Sequence, residues 1–369
     1  MKKRAVVLEF NRYHGEVLPS LVSLLNGLGF SADVYVHPDL LARNPFAGLT
    51  HLDFKVMPIE RDSLDMALWK DRLSVYDVLV LNTFQPDETI REFAEIGMPM
   101  LLVVHNGRVL LESEFCREHI IPRHREVLVL SPHVASFLKK NGVDSTWIFP
   151  GLFAARGELP LERGDPPTGD LDGLEEVGPA RRTFCVQGRI EPKRRNYESI
   201  VTAARKLRKR GFRNFSVKIL GKHTSKGGAR LRRTVLLRGL HRYFSFSRSV
   251  SGYDDFYREL RASTFLCPLI DRENGSYRAY FEDKASSSIP SAVGNHVIPV
   301  IHEELASIYG MDRCAITYRD GMLAEALETA LELTPSEMTA RRSELSSLRN
   351  AFMVQSERNL EGALNRIMA

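Results

Sequence analysis

The chain has 369 residues, 43 % hydrophobic and 26 % charged, and its 51 Lys and Arg against 46 Asp and Glu give a formal charge of +5 and a pI near 9.0. That composition excludes a disordered or low-complexity protein, and the length exceeds one ordinary core, so two domains of about 150–200 residues are expected. No apolar run approaches the roughly 20 residues that span a bilayer, and Met1-Lys2-Lys3-Arg4 opens onto a short strand without a cleavage site, as expected of a cytoplasmic chain without a signal peptide.

In chain order, AVVLEF (5–10) is a continuous apolar run, and 16–28 carries Val17, Leu21, Leu24, Leu25 and Leu28 on one helical face. VYDVLVLN (75–82), MPMLLVVH (98–105) and EVLVLS (126–131) read as buried strands, with helices at 64–73, 87–96 and 132–140 between them. Apolar strands alternating with helices predict a parallel sheet covered on both faces, and right-handed crossovers make it doubly wound. Asp77 and Asp87 read as a strand start and a helix start. This first domain covers 1–154.

Glycines and prolines mixed with acids give 155–181 a linker composition. Its Asp170-Leu171-Asp172 reads as a solvated turn rather than a metal motif. Alternation then resumes through TFCVQG (183–188), helix 197–210, FSVKILG (215–221), helix 228–240, a strand near 243–249, helix 253–262, TFLCPL (264–269), HVIPVI (296–301) and helix 321–333. A second α/β domain over 182–334 follows from this, and 335–369 is helical by pattern, without a strand, and is expected to pack back on the first domain. Cys116, Cys185, Cys267 and Cys314 lack paired metal spacing and read as reduced, buried thiols.

The chemistry concentrates at 184–196, FCVQGRIEPKRRN. A buried strand runs into Gly188 and Arg189, followed by Lys193, Arg194 and Arg195 ahead of a helix. Open α/β sheets bind ligands at the carboxyl ends of their strands, and such cations suit a nucleotide diphosphate. The alternative is a solvated basic loop. A second half of the clamp is expected at Lys284 with Ser286, Ser287 and Ser288, where hydroxyls and helix-start amides would cradle phosphate, although a serine run also serves simply as a helix cap. Residues 181–248 are rich in Lys and Arg with few acids, a field that attracts nucleotides, anionic lipid or nucleic acid.

The order strand-Gly188-Arg189, basic residues, helix, strand-Gly221, then Gly252-Tyr253, the Ser-rich turn and GNHVIPVI (294–301) resembles the GT-B glycosyltransferases. It is most similar to the glycosyltransferase group 1, family 4-like branch, known by "GRL…K" and "EAMACGTPVI" stretches. In the first half, NRYHGEVLPSLVSLL (11–25) sits where such enzymes place the loop after the first strand. VVHNG (103–107), VLS (129–131) and FPG (149–151) resemble shorter family pieces. The resemblance implies two Rossmann-like domains facing across a cleft, with the acceptor on the first and the nucleotide-sugar donor on the second. One departure matters: Ile289 and Phe281 stand where the branch's E-x7-E signature puts its two glutamates, with Glu282 shifted by one. Ribose recognition must therefore differ, and the anomeric outcome is not inferred.

The expected activity is transfer of a sugar from a nucleotide-diphosphate donor to a hydroxyl of a glycan or lipid-linked acceptor, in surface polysaccharide biosynthesis. Gly188, Arg189, Lys193, Arg194, Gly221, His105, Lys284 and Ser286–Ser288 form the expected donor site. Fixed cations would stabilise the departing diphosphate, so neither metal nor cofactor is expected. His14, Glu16 and Glu282 are the candidate catalytic groups, the first two as bases toward an acceptor hydroxyl. A loop histidine and a first-turn glutamate are the plainer readings of His14 and Glu16. Tyr277, Arg278 and Tyr280 are candidate sugar contacts. An anionic membrane surface is a further expected partner, reached through the basic opening of the second domain and the apolar face of 16–28. The rival readings are a nucleotide-sugar epimerase on the same architecture and a nucleic-acid-binding or non-catalytic nucleotide-binding protein. Nucleic acid is disfavoured because aromatics are not interleaved with the cations.

Overall fold

The computed structural model describes residues 2–60, 65–84, 91–93, 96–122, 126–151, 181–221, 224–247, 252–272 and 277–369. The linker read at 155–181 lies outside them but for Arg181, as do Asp170-Leu171-Asp172, Asp87 and much of the helix read at 87–96.

Among the described residues two parallel sheets form. The first joins β1 (Lys3–Glu9), β2 (Phe30–Val36), β3 (Phe54–Pro58), β4 (Val78–Leu81), β5 (Met100–Val104), β6 (Glu126–Val129) and β7 (Thr146–Trp147) in the order β3-β2-β1-β4-β5-β6-β7. In the second, β8 (Arg182–Gln187), β9 (Phe215–Leu220), β10 (Phe244–Phe246), β11 (Phe265–Leu266), β12 (Ile298–His302) and β13 (Ile316–Tyr318) run β10-β9-β8-β11-β12-β13. In both, the order reverses beside the first strand of the sheet, opening a crevice beyond the strands' carboxyl ends. The fold is thus α/β, doubly wound and twofold repeated.

The apolar strands read from sequence lie where both faces are covered. Successive side chains alternate between faces, so Ala5 and Val7 enter one core with Val34, Val80 and Leu101, whereas Val6 and Leu8 enter the other with Leu79, Leu81 and Leu102. The helix Leu18–Gly27 buries Leu18, Leu21, Val22, Leu24 and Leu25 in the first of these cores. Its apolar side is therefore fully used inside the lobe, which corrects the expectation that 16–28 meets a membrane. All four cysteines are free and buried, and burial raises the Cys185 thiol to about 12.

One helix, Pro335–Met368, ties the lobes together. It starts on a capping box in which Thr334 and Glu337 serve each other's backbone N–H. Leu345 and Phe352 pack among Ile289, Tyr309 and Met311, while Leu360, Ala363 and Leu364 complete the first lobe's core around Leu18 and Leu25. Ser356, fully buried between these groups, accepts the Phe149 N–H at 2.9 Å. The lobes also touch across the crevice: Gly107 N–H donates to the Asp283 carbonyl at 2.8 Å, and Arg108 Nε donates to the buried Asp283 carboxylate at 2.6 Å.

Candidate active site

Between the lobes lies a cavity of about 580 Å³ whose walls come from both sheets. His14, Glu16, Thr83 and His105 line it from the first lobe; Gly188, Arg189, Arg194, Arg195, Lys284, Ser286 and Ser287 line it from the second.

The first-lobe wall stands on the ends of β1, β4 and β5. Glu9, the last residue of β1, is fully buried and accepts from Asn11 N–H (2.7 Å), Asn82 Nδ2 (2.7 Å) and Thr83 Oγ1 (2.5 Å). Burial nevertheless outweighs those bonds and raises its carboxyl. The chain then turns at His14, in the left-handed region at φ 67°, with Val17 N–H closing the turn onto the His14 carbonyl at 3.1 Å. This turn sets His14 Nδ1 3.6 Å from Glu16 Oε1, an ion-pair separation rather than a hydrogen bond. Burial opposes charge on both groups, yet their mutual attraction prevails: His14 is raised and Glu16 lowered from their usual values. The His105 ring lies 4.1 Å from that of His14. Burial, reinforced by the neighbouring His14 charge, pushes His105 down to about 3, so it stays neutral. Its Nε2 sits 3.0 Å from the Asn82 carbonyl, which assigns the proton to Nε2.

The second-lobe wall is cationic. Gly188 follows β8 at φ 95°, and a Cβ there would sit 3.0 Å from the Arg195 guanidinium. Gly221 supports this loop from behind, since its Cβ would fall 2.3 Å from the Gly188 carbonyl oxygen. A tight turn brings both Arg194 N–H (2.9 Å) and Arg195 N–H (3.2 Å) onto the Glu191 carbonyl and points Arg195 inward. Arg195 is 9 % exposed, donates Nη1 to the Pro268 carbonyl at 2.6 Å, and meets no carboxylate among the described residues. Arg189 and Arg194 instead lie at the mouth, each bound to Glu191, at 2.8 and 2.7 Å. Lys284 bridges to Asn106 across the crevice, with its Nζ 5.3 Å from the Tyr280 ring. Ser286 Oγ accepts the Ser288 N–H at 3.4 Å as the short helix Ser288–Gly294 begins.

Of the residues assigned from sequence to the donor site and to catalysis, most thus share one cavity, and four do not line it. Lys193 is exposed on the outside of the turn. Gly221 acts through its approach to Gly188. Ser288 is fully buried behind the cavity wall. Glu282 is held by Arg278 at 2.5 Å and Arg108 at 3.7 Å, outside the cavity's lining. Ile289 and Phe281 are both buried in one apolar cluster, so the two positions of the family carboxylates are occupied by core. Tyr277 is buried too, its hydroxyl donating to the Pro192 carbonyl at 2.6 Å, whereas Tyr280 does line the cavity. Sequence reasoning read Arg195 as one cation of the clamp without assigning it to the donor site, and it missed Glu9 and Thr83, which gave no signal beyond their place at strand ends. Among the described residues no three His, Cys, Asp or Glu side chains gather to hold a metal ion.

No protein-family model matches the sequence, and no curated protein matches it. Solved structures do match its fold along nearly the whole chain. A glycosyltransferase from Rickettsia africae is 12 % identical with a TM-score of 0.67, covering 99 % of this chain and 98 % of its own. Anabaena HepE, solved with UDP and glucose, is 12 % identical with a TM-score of 0.65 over 99 % and 100 % of the two chains. The α,α-trehalose-phosphate synthase (UDP-forming) of Burkholderia vietnamiensis is 12 % identical at 0.58, over 99 % and 100 %. Paired doubly wound lobes, the crevice between their switch points and these likenesses together give the chain the GT-B glycosyltransferase fold.

Proposed function

We propose that this protein is a glycosyltransferase that moves a sugar from a nucleoside-diphosphate donor to a hydroxyl of a glycan or lipid-linked acceptor, in surface polysaccharide biosynthesis. Arg195 carries the reading. A buried guanidinium with one carbonyl partner is costly unless a ligand brings the counter-charge, and its fork of donors fits a pyrophosphate. Lys284, Ser286 and Ser287 face the same space from a distant segment. The UDP and glucose bound by HepE on the same fold add support.

In this reading the acceptor oxygen attacks the anomeric carbon. The bond from that carbon to the diphosphate oxygen breaks, its electron pair leaving with the diphosphate, and the acceptor proton passes to His14. Glu16 then stabilises the imidazolium, while neutral His105 flanks it without competing charge. Negative charge building on the diphosphate meets Arg195, Lys284 and the mouth arginines, Arg189 and Arg194, once these exchange Glu191 for phosphate. Fixed cations in a crevice partly closed to water supply the stabilisation, so metal independence belongs to the proposal. Lys193 and Glu282 take no direct part.

Titration calorimetry with UDP, GDP and dTDP, followed by diphosphate release from the matching sugar donors with and without EDTA, tests this. One diphosphate should bind, and turnover should survive chelation. Absence of binding by all three sinks the reading; loss of turnover in EDTA with recovery on Mn²⁺ overturns metal independence alone.

A further inference from the structure

The helix Lys226–Leu237 lies in the second lobe between β9 and β10, at the sheet edge. Gly228, Leu231 and Val235 bury one side of it. Most of the rest is exposed: Lys226, Arg230, Arg233 and Leu237 lie opposite the buried face, and Arg232 and Leu236 on its flank. Lys226, Arg230, Arg233 and Leu237 follow each other at three- and four-residue steps, so they form one strip along the helix. Leu236 is 63 % and Leu237 75 % exposed, an adjacent pair rather than the scattered single residues found elsewhere on the described surface.

Charge around this helix is one-sided. From Ser199 to Tyr253 the chain holds fifteen Lys and Arg and no Asp or Glu. Other segments neutralise part of this: Glu325 and Glu328 take Arg210, Glu259 takes Lys218, and Glu198 takes Arg238. The three cations of this strip and Arg232 beside it have no ion pair among the described residues. Solubility alone explains exposed arginines, but not two adjacent exposed leucines at the end of the same helix. A nucleic-acid site explains the arginines and again not the leucines, and the nearby Tyr243 and Phe246 are half-buried against the core rather than offered for stacking.

We propose that this helix face docks the second lobe onto a lipid surface bearing anionic headgroups, the arginines meeting phosphate and Leu236 and Leu237 entering the headgroup–acyl boundary. Cations flanking an apolar pair are what such an interface recognises. No described helix is long and apolar enough to cross a membrane, so the contact is a surface one. The helix also starts against the loop that follows Gly188 and Arg189: the Ile190 carbonyl lies 2.1 Å from where a Cβ of Gly227 would stand. Docking here holds the crevice close to the lipid plane, where a lipid-linked acceptor would be met. The inference goes beyond the proposed sugar transfer and does not require it.

Cosedimentation with vesicles of phosphatidylcholine alone, or mixed with phosphatidylglycerol, is the test. The full chain should bind the anionic vesicles in low salt and release them in high salt. Leu236→Ser with Leu237→Ser should weaken binding about tenfold per leucine. Replacing Arg230, Arg232 and Arg233 by Gln should weaken it about fivefold per residue, roughly a hundredfold together. Melting temperature and UDP titration of each variant should match the parent. Equal binding to both vesicle types, or parent-like binding by both variants, overturns the proposal. So does a leucine variant that binds vesicles as the parent does while the arginine variant loses affinity for oligonucleotides, which would make the face a nucleic-acid site. Vesicle binding is read without donor, so failure of UDP to bind any form removes the transferase reading and leaves this one standing.

Discussion

Arg195→Met separates a ligand-binding role from a structural one. The substitution keeps most of the side-chain length while deleting a charge that is 9 % exposed and bonded only to the Pro268 carbonyl at 2.6 Å among the described residues. Relieving a buried charge gains up to about 1–4 kcal/mol where apolar packing replaces it. Stranding the Pro268 carbonyl costs about 1–3 kcal/mol. The two offset, and the ligand-free protein should melt within about 4 °C of the parent. With ligand the balance changes. Losing one charge-assisted fork to pyrophosphate should weaken UDP about a hundredfold, or roughly 2.7 kcal/mol. At UDP a hundred times the parent's Kd, the parent gains about 2.7 kcal/mol of stability from the ligand, whereas the variant gains only about 0.4 kcal/mol. Scanning fluorimetry with and without UDP reads both quantities in one plate. A variant that melts far below the parent yet keeps the full UDP shift would show Arg195 to be a packing residue and refute the clamp.

Other outcomes follow from the same geometry. The turnover rate should rise with pH through an inflection above 6.5, because His14 must lose its proton to act and Glu16 raises its pKa; Glu16→Gln should shift that inflection to lower pH, and His14→Ala should remove it. The pair's contribution to stability has the opposite sense. It is present below about 6.5, fades as pH rises through the raised His14 value, and fades again in acid as pH falls through the lowered Glu16 value; denaturant midpoints across pH measure it against a His14→Ala control. Gly221→Ala should cost about 1–3 kcal/mol and weaken UDP binding as well, since the new methyl group displaces the Gly188 carbonyl. Ser356→Ala should cost about 1–3 kcal/mol in denaturant unfolding by leaving the Phe149 N–H unpaired.

The legible parts of the sequence were those where one physical demand acted alone. β1, β4, β5 and β6 are buried on both faces, and they read as unbroken apolar runs. β2, FSADVYV, escaped because Ser31 and Asp33 interrupt it; Asp33 binds Arg4 at 3.0 Å at one end of the sheet. β3 is half exposed at the sheet edge, while β7 and β13 span two and three residues, too short for any period to show. The clamp's location followed from cations at a strand's carboxyl end. Which cation points inward did not, because Lys193 and Arg195 differ only in their place on a turn tied to the Glu191 carbonyl. Glu282 looked catalytic by chemistry and position, but Arg278 and Arg108 draw it aside, and no spacing rule registers such partners.

The helix Pro335–Met368 has a bearing on how the protein is made. Its Leu360, Ala363 and Leu364 fill the first lobe's core, yet they are synthesised about 200 residues after β7 leaves the ribosome. The first lobe therefore waits, with Leu18, Leu21 and Leu25 incompletely covered, until the second has been translated. A nascent chain halted after the first sheet is a natural client for chaperones, and expressing residues 1–154 by themselves should yield an aggregation-prone fragment.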